Sequence, residues 1–332
     1  MTDGARWRGR TVFLTGATGL VGSWTARLLL EQGARVVALV RDLDPRCELA
    51  RSGDLQRVTV VNGELENYAL LERALGDHEI DTVIHLGAQT IVGTANHSPM
   101  GTFESNIRGT YNLLEACRVH RNRVARIAVA SSDKAYGDQP ILPYDETMPV
   151  AGRHPYDVSK SCTDLIARAY YETYRLPIVV ARCGNIFGGG DLNWSRIVPG
   201  TIRSLLRDED IVLRGDGQHI RDYIYVKDVA HAYALIADRA GESGVSGEAF
   251  NFSTEIPLSV LDMVRAIQDA HGPSRSELRI ENRATGEIRH QHLSAAKARA
   301  SFAWSPTFGL DDALRETIAW YRDYFEGSAL SA

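Results

Sequence analysis

The chain has 332 residues, of which 44% are apolar and 24% charged, with a formal net charge of -5. That balance describes an ordinary globular protein with room for one large α/β unit or two lobes, and gives no basis for a nucleic-acid or anionic-membrane partner. No apolar stretch reaches the length of a membrane span, and the N-terminal MTDGARWRGR lacks the apolar core of a signal peptide. Cys47, Cys117, Cys162 and Cys183 show no C-x-x-C spacing. This argues against a zinc site or a disulfide framework and suits a reducing cytoplasm.

Apolar β-branched runs predict strands at TVFLTG (11–16), RVVALV (35–40), RVTVVNG (57–63), DTVIHLG (81–87), RIAVASS (126–132) and PIVVARCGN (177–185). Helical spacing of apolar residues predicts helices over 20–32, 67–76, 104–120 and 156–174. Strands alternating with helices imply right-handed crossovers and a parallel, doubly wound sheet, a Rossmann-like α/β fold. The alternation weakens after about residue 190, where GGGDLN and GDGQH read as loops. The later part is expected to form a smaller C-terminal lobe over the carboxyl ends of the strands, where such sheets bind ligands.

TGATGLVG (15–22) falls between the first strand and the first helix. Gly16 would make the tight turn, Gly19 would let the backbone approach a pyrophosphate, and Gly22 would let the helix pack against the sheet. At the end of the second strand, Val40 occupies the position of the acid that usually holds the NAD ribose, followed by Arg41 and Asp42. A guanidinium there suits the 2′-phosphate of NADP, whereas a register shift onto Asp42 would suit NAD.

YDVSK places Tyr156 and Lys160 four residues apart, on one face of the start of a helix. A free tyrosine titrates near pH ~10, and a neighbouring ammonium together with a cationic nicotinamide would make it a usable base. A serine at the end of the fifth strand, Ser132 or Ser131, would complete the arrangement. In SSDKAYG (131–137), Asp133 and Lys134 follow that serine at the mouth of the cleft.

These motifs, with VIHLGAQ (83–89), NIRGTYNLLEAC (106–117), RCGNIFGGGD (182–191) and GDGQHIRDYIYVKDVAHAY (215–233), resemble the extended short-chain dehydrogenase/reductase family, in particular its nucleotide-sugar epimerases and dehydratases. The resemblance implies an enzyme with a tightly held NAD(P) that transiently oxidises the sugar at C4. It places Thr18, Leu20 and Val21 with the glycine loop on the cofactor, Glu64 and Leu65 near the adenine, and Leu86 and Ala88 along the cofactor cleft. Asn185 is implied at the diphosphate and Arg221 at the nucleotide end, with Gln89, Asn106, Arg196, Val198 and Arg289 among the substrate residues. Residues 1–185, with a segment of about 222–252 returning, would bind the cofactor. Residues 186–221 and 253–332 would bind the nucleotide-sugar. A homodimer through helices 104–120 and 156–174 is implied as well. Gly87 departs from the family's usual alanine.

Within that family, 4-epimerases need only Ser132, Tyr156 and Lys160, while a 4,6-dehydratase also needs an acid and a base for the loss of water across C5–C6. The Asp-Lys pair and GGGDLNWSRIVP (188–199) resemble CDP-glucose 4,6-dehydratases. In this reading Asp133 protonates the leaving C6 hydroxyl, and Lys134 serves near C5 either as a base or as a charged stabiliser. The VRD at the end of the second strand resembles NADP-using GDP-mannose dehydratases, so the base stays open among CDP, GDP, UDP and dTDP. The alternatives are a 4-epimerase on a UDP- or GDP-linked sugar, and a cofactor-binding regulatory protein without catalysis. His290 and His292 lack an evident third ligand and read as a loop near the nucleotide, not as a metal site.

Overall fold

A computed structural model describes residues 6–282 and 288–329. Its strands are β1 Thr11–Thr15, β2 Arg35–Val40, β3 Thr59–Asn62, β4 Thr82–His85, β5 Arg126–Ala130, β6 Ile178–Cys183, β7 Asn185–Phe187, β8 Ile211–Leu213, β9 Ile220–Tyr225, β10 Ala249–Phe252, β11 Pro257–Ser259 and β12 Leu278–Ile280. Seven of them form one parallel sheet in the order β10-β6-β5-β4-β1-β2-β3. The order reverses on either side of β1, which opens a crevice at the carboxyl ends of β1 and β4. Val12, Phe13, Leu14, Val83, Ile84, Ile127, Ala128 and Val129 are fully buried. Helices cover both faces of the sheet, so its central strands read as continuous apolar runs instead of alternating ones.

The Leu20–Glu31 helix starts directly after the glycine loop. Gly16 has φ +72°, and a Cβ on it would lie 2.8 Å from the Gly87 nitrogen. A Cβ on Gly22 would lie 2.0 Å from the Gly16 carbonyl oxygen. Only glycine permits this approach of helix to loop. At Gly87 a methyl would lie 3.0 Å from Thr15 Oγ1 and 3.1 Å from Leu65. The Gly87 N–H donates to the same Thr15 oxygen at 2.9 Å. The missing methyl therefore leaves room for a tight junction between β1 and the loop after β4.

Two elements differ from the sequence expectation. The helix expected from residue 104 is preceded by a Pro99–Phe103 turn and passes through a π-helical turn at Glu104–Arg108 before Gly109–Val119. The inserted residue frees the Asn106 carbonyl to accept from the Thr110 hydroxyl at 2.6 Å and the Thr163 hydroxyl at 3.4 Å. It also brings Gly109 against Leu65, where a Cβ would lie 2.6 Å from the Leu65 Cβ. The strand expected over 177–185 breaks at Gly184, whose Cβ would lie 2.6 Å from the Asp222 carbonyl oxygen. Its end becomes β7, which leaves the main sheet to pair with β9 in a three-stranded sheet ordered β11-β9-β7.

The Val226–Arg239 helix, which follows β9, packs against the Leu20–Glu31 helix, and β10 then forms one edge of the main sheet. A separate apolar cluster joins Phe187, Ile202, Leu213, Tyr225, Met263, Leu314 and Tyr321. It fixes the later helices beside the crevice. No helix among the described residues is long and apolar enough to cross a membrane.

Candidate active site

A cavity of about 500 Å³ runs along the crevice, lined by Gly16, Thr18, Gly19, Leu20, Val21 and Gly22 at one side. Gly19 is the N-cap of the Leu20–Glu31 helix and brings no side-chain acceptor. The first-turn amides and the positive end of the helix therefore open on the cavity, a ready cradle for a diphosphate. Farther along lie Arg41, Asp42, Glu64, Leu65, Leu86 and Ala88. Val40 is buried as the last residue of β2, whereas Arg41 and Asp42 are exposed and pair with each other at 2.6 Å.

At the opposite end the chain brings together Ser131, Ser132, Asp133, Lys134, Tyr156, Lys160, Asn185, Arg196 and Val198. Ser132 caps a 3-10 turn, Asp133–Tyr136, that follows β5. Its Oγ accepts from the Lys134 N–H at 3.2 Å and donates to Asp133 Oδ1 at 2.9 Å. The Ser132 hydroxyl also lies within hydrogen-bonding reach of the Tyr156 phenol, to which its single hydrogen can turn from Asp133. Ser131 instead donates to Asp164, so Ser132 is the serine placed beside the tyrosine. Arg182 grips the same Asp164 through Nε at 3.0 Å and a terminal nitrogen at 2.6 Å, and its other terminal nitrogen reaches the Tyr136 hydroxyl at 2.8 Å. This buried network bolts both ends of SSDKAYG to β6 and to the tyrosine-bearing helix.

Tyr156 and Lys160 sit on the first turns of the Pro155–Tyr174 helix. Burial pushes the Tyr156 phenol up to about 12, against the Ser132 hydrogen bond and the Arg196 charge, and the Asp133 charge pushes the same way as burial. Burial pushes Lys160 down to about 8, opposed by Asp164. The Lys160 ammonium donates to the Ala130 carbonyl at 2.9 Å. Asp133 is 2% exposed, and its Oδ2 is buried without a hydrogen-bond partner among the described residues. A buried carboxylate oxygen left open beside a cavity is costly to maintain and calls for a functional explanation.

Gln89, Asn106, Arg221 and Arg289 are not among the lining residues. Asn106 is a brace: its side chain accepts from the Gln89 N–H at 2.7 Å and donates to the Gln89 carbonyl and to Ser159 Oγ, both at 2.9 Å. Arg221 donates to the carbonyls of Ile220 and Arg289. The cavity also takes in Thr90, Ser105, Cys183, Tyr223 and Tyr233, which the sequence reading did not select. Ser105 belongs to the π-helical turn, a feature with no short-range sequence signal. No group of three or more His, Cys, Asp or Glu side chains among the described residues is placed to hold a metal ion.

His85, at the end of β4, has a tautomer set by its neighbours. Thr110 Oγ1 donates to the Asn106 carbonyl, so it accepts from His85 Nε2 at 3.1 Å. Thr15 Oγ1 accepts from the Gly87 N–H and gives its own hydrogen to Nδ1 at 2.8 Å. The ring is held neutral, and burial and the Lys160 charge push it down to about 3. Because the folded value lies below the unfolded one, its contribution to stability is present above pH ~6.5 and is lost as pH falls toward about 3. The loss amounts to roughly 1.4 kcal/mol per pH unit inside that window. His85→Gln is expected to flatten the acid limb of a stability-pH curve, measured by denaturant unfolding. An unchanged limb would assign the acid sensitivity to other groups.

The fold and the cavity define a Rossmann-like protein of the short-chain dehydrogenase/reductase type, with a cleft at the carboxyl ends of its parallel strands. Residues 13–317 match the model of the GDP-mannose 4,6 dehydratase family, and the chain belongs to that family. The CDP-glucose 4,6-dehydratase of Salmonella typhimurium is 28% identical, covering 98% of this chain and 94% of its own. The UDP-glucose 4-epimerase of Halalkalibacterium halodurans is 29% identical, covering 95% and 97% respectively. Among solved structures, a dTDP-glucose 4,6-dehydratase of Streptomyces venezuelae with NAD bound superposes with a TM-score of 0.84 at 25% identity, covering 94% of this chain and 97% of that one.

Proposed function

We propose that this protein is a nucleotide-sugar 4,6-dehydratase, converting an NDP-hexose of the CDP-glucose kind to the 4-keto-6-deoxy sugar. The observation that carries the reading is Asp133: a buried carboxylate, hydrogen-bonded to the serine beside Tyr156, with one oxygen left open. Oxidation and reduction at C4 need only Ser132, Tyr156 and Lys160. The carboxylate is the extra group that loss of water requires.

The residues fit a nicotinamide dinucleotide: the uncapped helix end takes the diphosphate, and the cavity continues from it to Tyr156. When bound, the cofactor supplies a hydride acceptor at C4 and a hydride donor at C6. Tyr156, helped by Ser132, takes the proton of the C4 hydroxyl, and positive charge around it must bring the phenol down from its buried value. The C4 ketone acidifies C5–H. Asp133, carrying a proton, gives it to the C6 oxygen, which leaves as water; the C5 proton passes to the carboxylate so formed or to a water in the cleft, and the C5–C6 double bond forms. Hydrogen then returns to C6 and a proton to C5, so the cofactor ends as it began.

Arg41 favours NADP, because its guanidinium lines the far end of the cavity where the usual acid is replaced by the buried Val40. Arg41→Ala is expected to weaken NADP binding about tenfold relative to NAD, read by calorimetry. An unchanged preference would leave Asp42 as the ribose contact. The same reading assigns the cofactor to residues 1–185 and 222–252, and the nucleotide-sugar to 186–221 and 253–332. Exposed Tyr111 and Leu165 on the Gly109–Val119 and Pro155–Tyr174 helices support a homodimer.

Incubation with CDP-, dTDP-, UDP- and GDP-hexoses, followed by mass spectrometry, tests the function. Loss of one water from one of them is expected. An isomer of unchanged mass would establish a 4-epimerase, the second reading, which the likeness to a UDP-glucose 4-epimerase supports.

A further inference from the structure

Gln291 is fully buried, yet it is not among the residues that line the cavity. Its main chain is clamped: its N–H donates to the Ile220 carbonyl at 3.1 Å, and Leu293 N–H donates to Asp222 Oδ2 at 3.1 Å. The Tyr144 N–H holds the intervening His292 carbonyl at 2.9 Å. From this rigid strap the Gln291 side chain crosses to the SSDKAYG turn. Its Nε2 donates to the Asp133 carbonyl at 3.1 Å, and its Oε1 accepts from the Lys134 ammonium. The amide orientation is dictated by chemistry, since an ammonium only donates and a carbonyl only accepts.

We propose that Gln291 is a positioning residue that fixes the Lys134 ammonium over the reacting sugar from the opposite side of the crevice. Lys134 lines the cavity, so its ammonium can face the negative charge that builds when C5 loses its proton next to a C4 ketone. A free lysine stem samples many rotamers, and a partner anchored in another element removes that freedom. This partner is neutral, although the Lys134 charge also acts on the buried Asp157. A carboxylate in place of Gln291 would hold the ammonium but add a second negative charge against it, and a hydrocarbon would offer it no acceptor from this strap. The inference rests on the dehydratase reading and makes Lys134 the charged stabiliser of that reaction.

The test is a double-mutant cycle on the rate of water loss, comparing wild type, Q291L, K134M and Q291L/K134M, with Q291E in both backgrounds. Q291L is expected to lower kcat about tenfold or more with KM within about threefold. Q291E, which keeps an acceptor for the lysine, is expected to slow water loss through charge cancellation and to carry the cycle if Q291L does not fold. Both effects are expected to vanish once Lys134 is methionine. Effects of Gln291 that persist undiminished in the K134M background would reduce it to a structural strut and overturn the proposal, as would a Q291L enzyme of wild-type kcat. Absence of water loss from the wild-type protein on every nucleotide-sugar would instead sink the dehydratase reading itself.

Discussion

Replacing Asp133 by asparagine is expected to cut water loss by about 10²–10⁴-fold while leaving C4 oxidation within about tenfold of wild type. Asparagine has the same shape, and its carbonyl can still accept from Ser132, which binds Oδ1 at 2.9 Å. What disappears is the acid that protonates the C6 oxygen. The Ser132 contact that opposes burial at Tyr156 is untouched, so the tyrosine step has no reason to suffer. The two steps separate experimentally: the absorbance of the reduced nicotinamide reports oxidation at C4, and the mass of the product reports dehydration. Water loss within about tenfold of wild type would remove Asp133 from the mechanism.

Tyr156→Phe is expected to have the opposite pattern, stopping everything at the first step. Phenylalanine fills the same volume, and the side chain is only 9% exposed, so the fold and the nucleotide site should persist. With no proton acceptor at the C4 hydroxyl, C4 oxidation should fall by about 10²–10⁴-fold, taking dehydration and any epimerisation with it. Nucleoside diphosphate affinity, measured by calorimetry, should stay within a few-fold. A variant that still oxidised C4 at near wild-type rate would hand the base role to another group.

The parallel sheet was legible in the sequence because its strands are buried on both faces and show as uninterrupted apolar runs. The glycine loop was legible for a steric reason: Gly16 and Gly22 stand where any Cβ would strike backbone within 3 Å. Tyr156 and Lys160 were readable as a pair because helical periodicity alone puts them on one face. Features set by distant contacts were not readable. The π-helical turn depends on Leu65 and on hydroxyls from Thr110 and Thr163, and the break at Gly184 depends on the Asp222 carbonyl. Gln291 reaches Lys134 across 157 positions of chain, and it lies between two histidines read only as a loop near the nucleotide. Choosing Ser132 over Ser131 likewise needed the structure, because Asp164 claims the first hydroxyl.

The most direct measurement follows the hydrogen that leaves C4. The protein would be given the nucleotide-sugar it accepts, deuterated at C4, in ordinary water, and the product read by mass spectrometry and NMR. The account predicts loss of one water with the deuterium recovered at C6 and solvent hydrogen at C5. Deuterium found back at C4, in an isomer of unchanged mass, would contradict it.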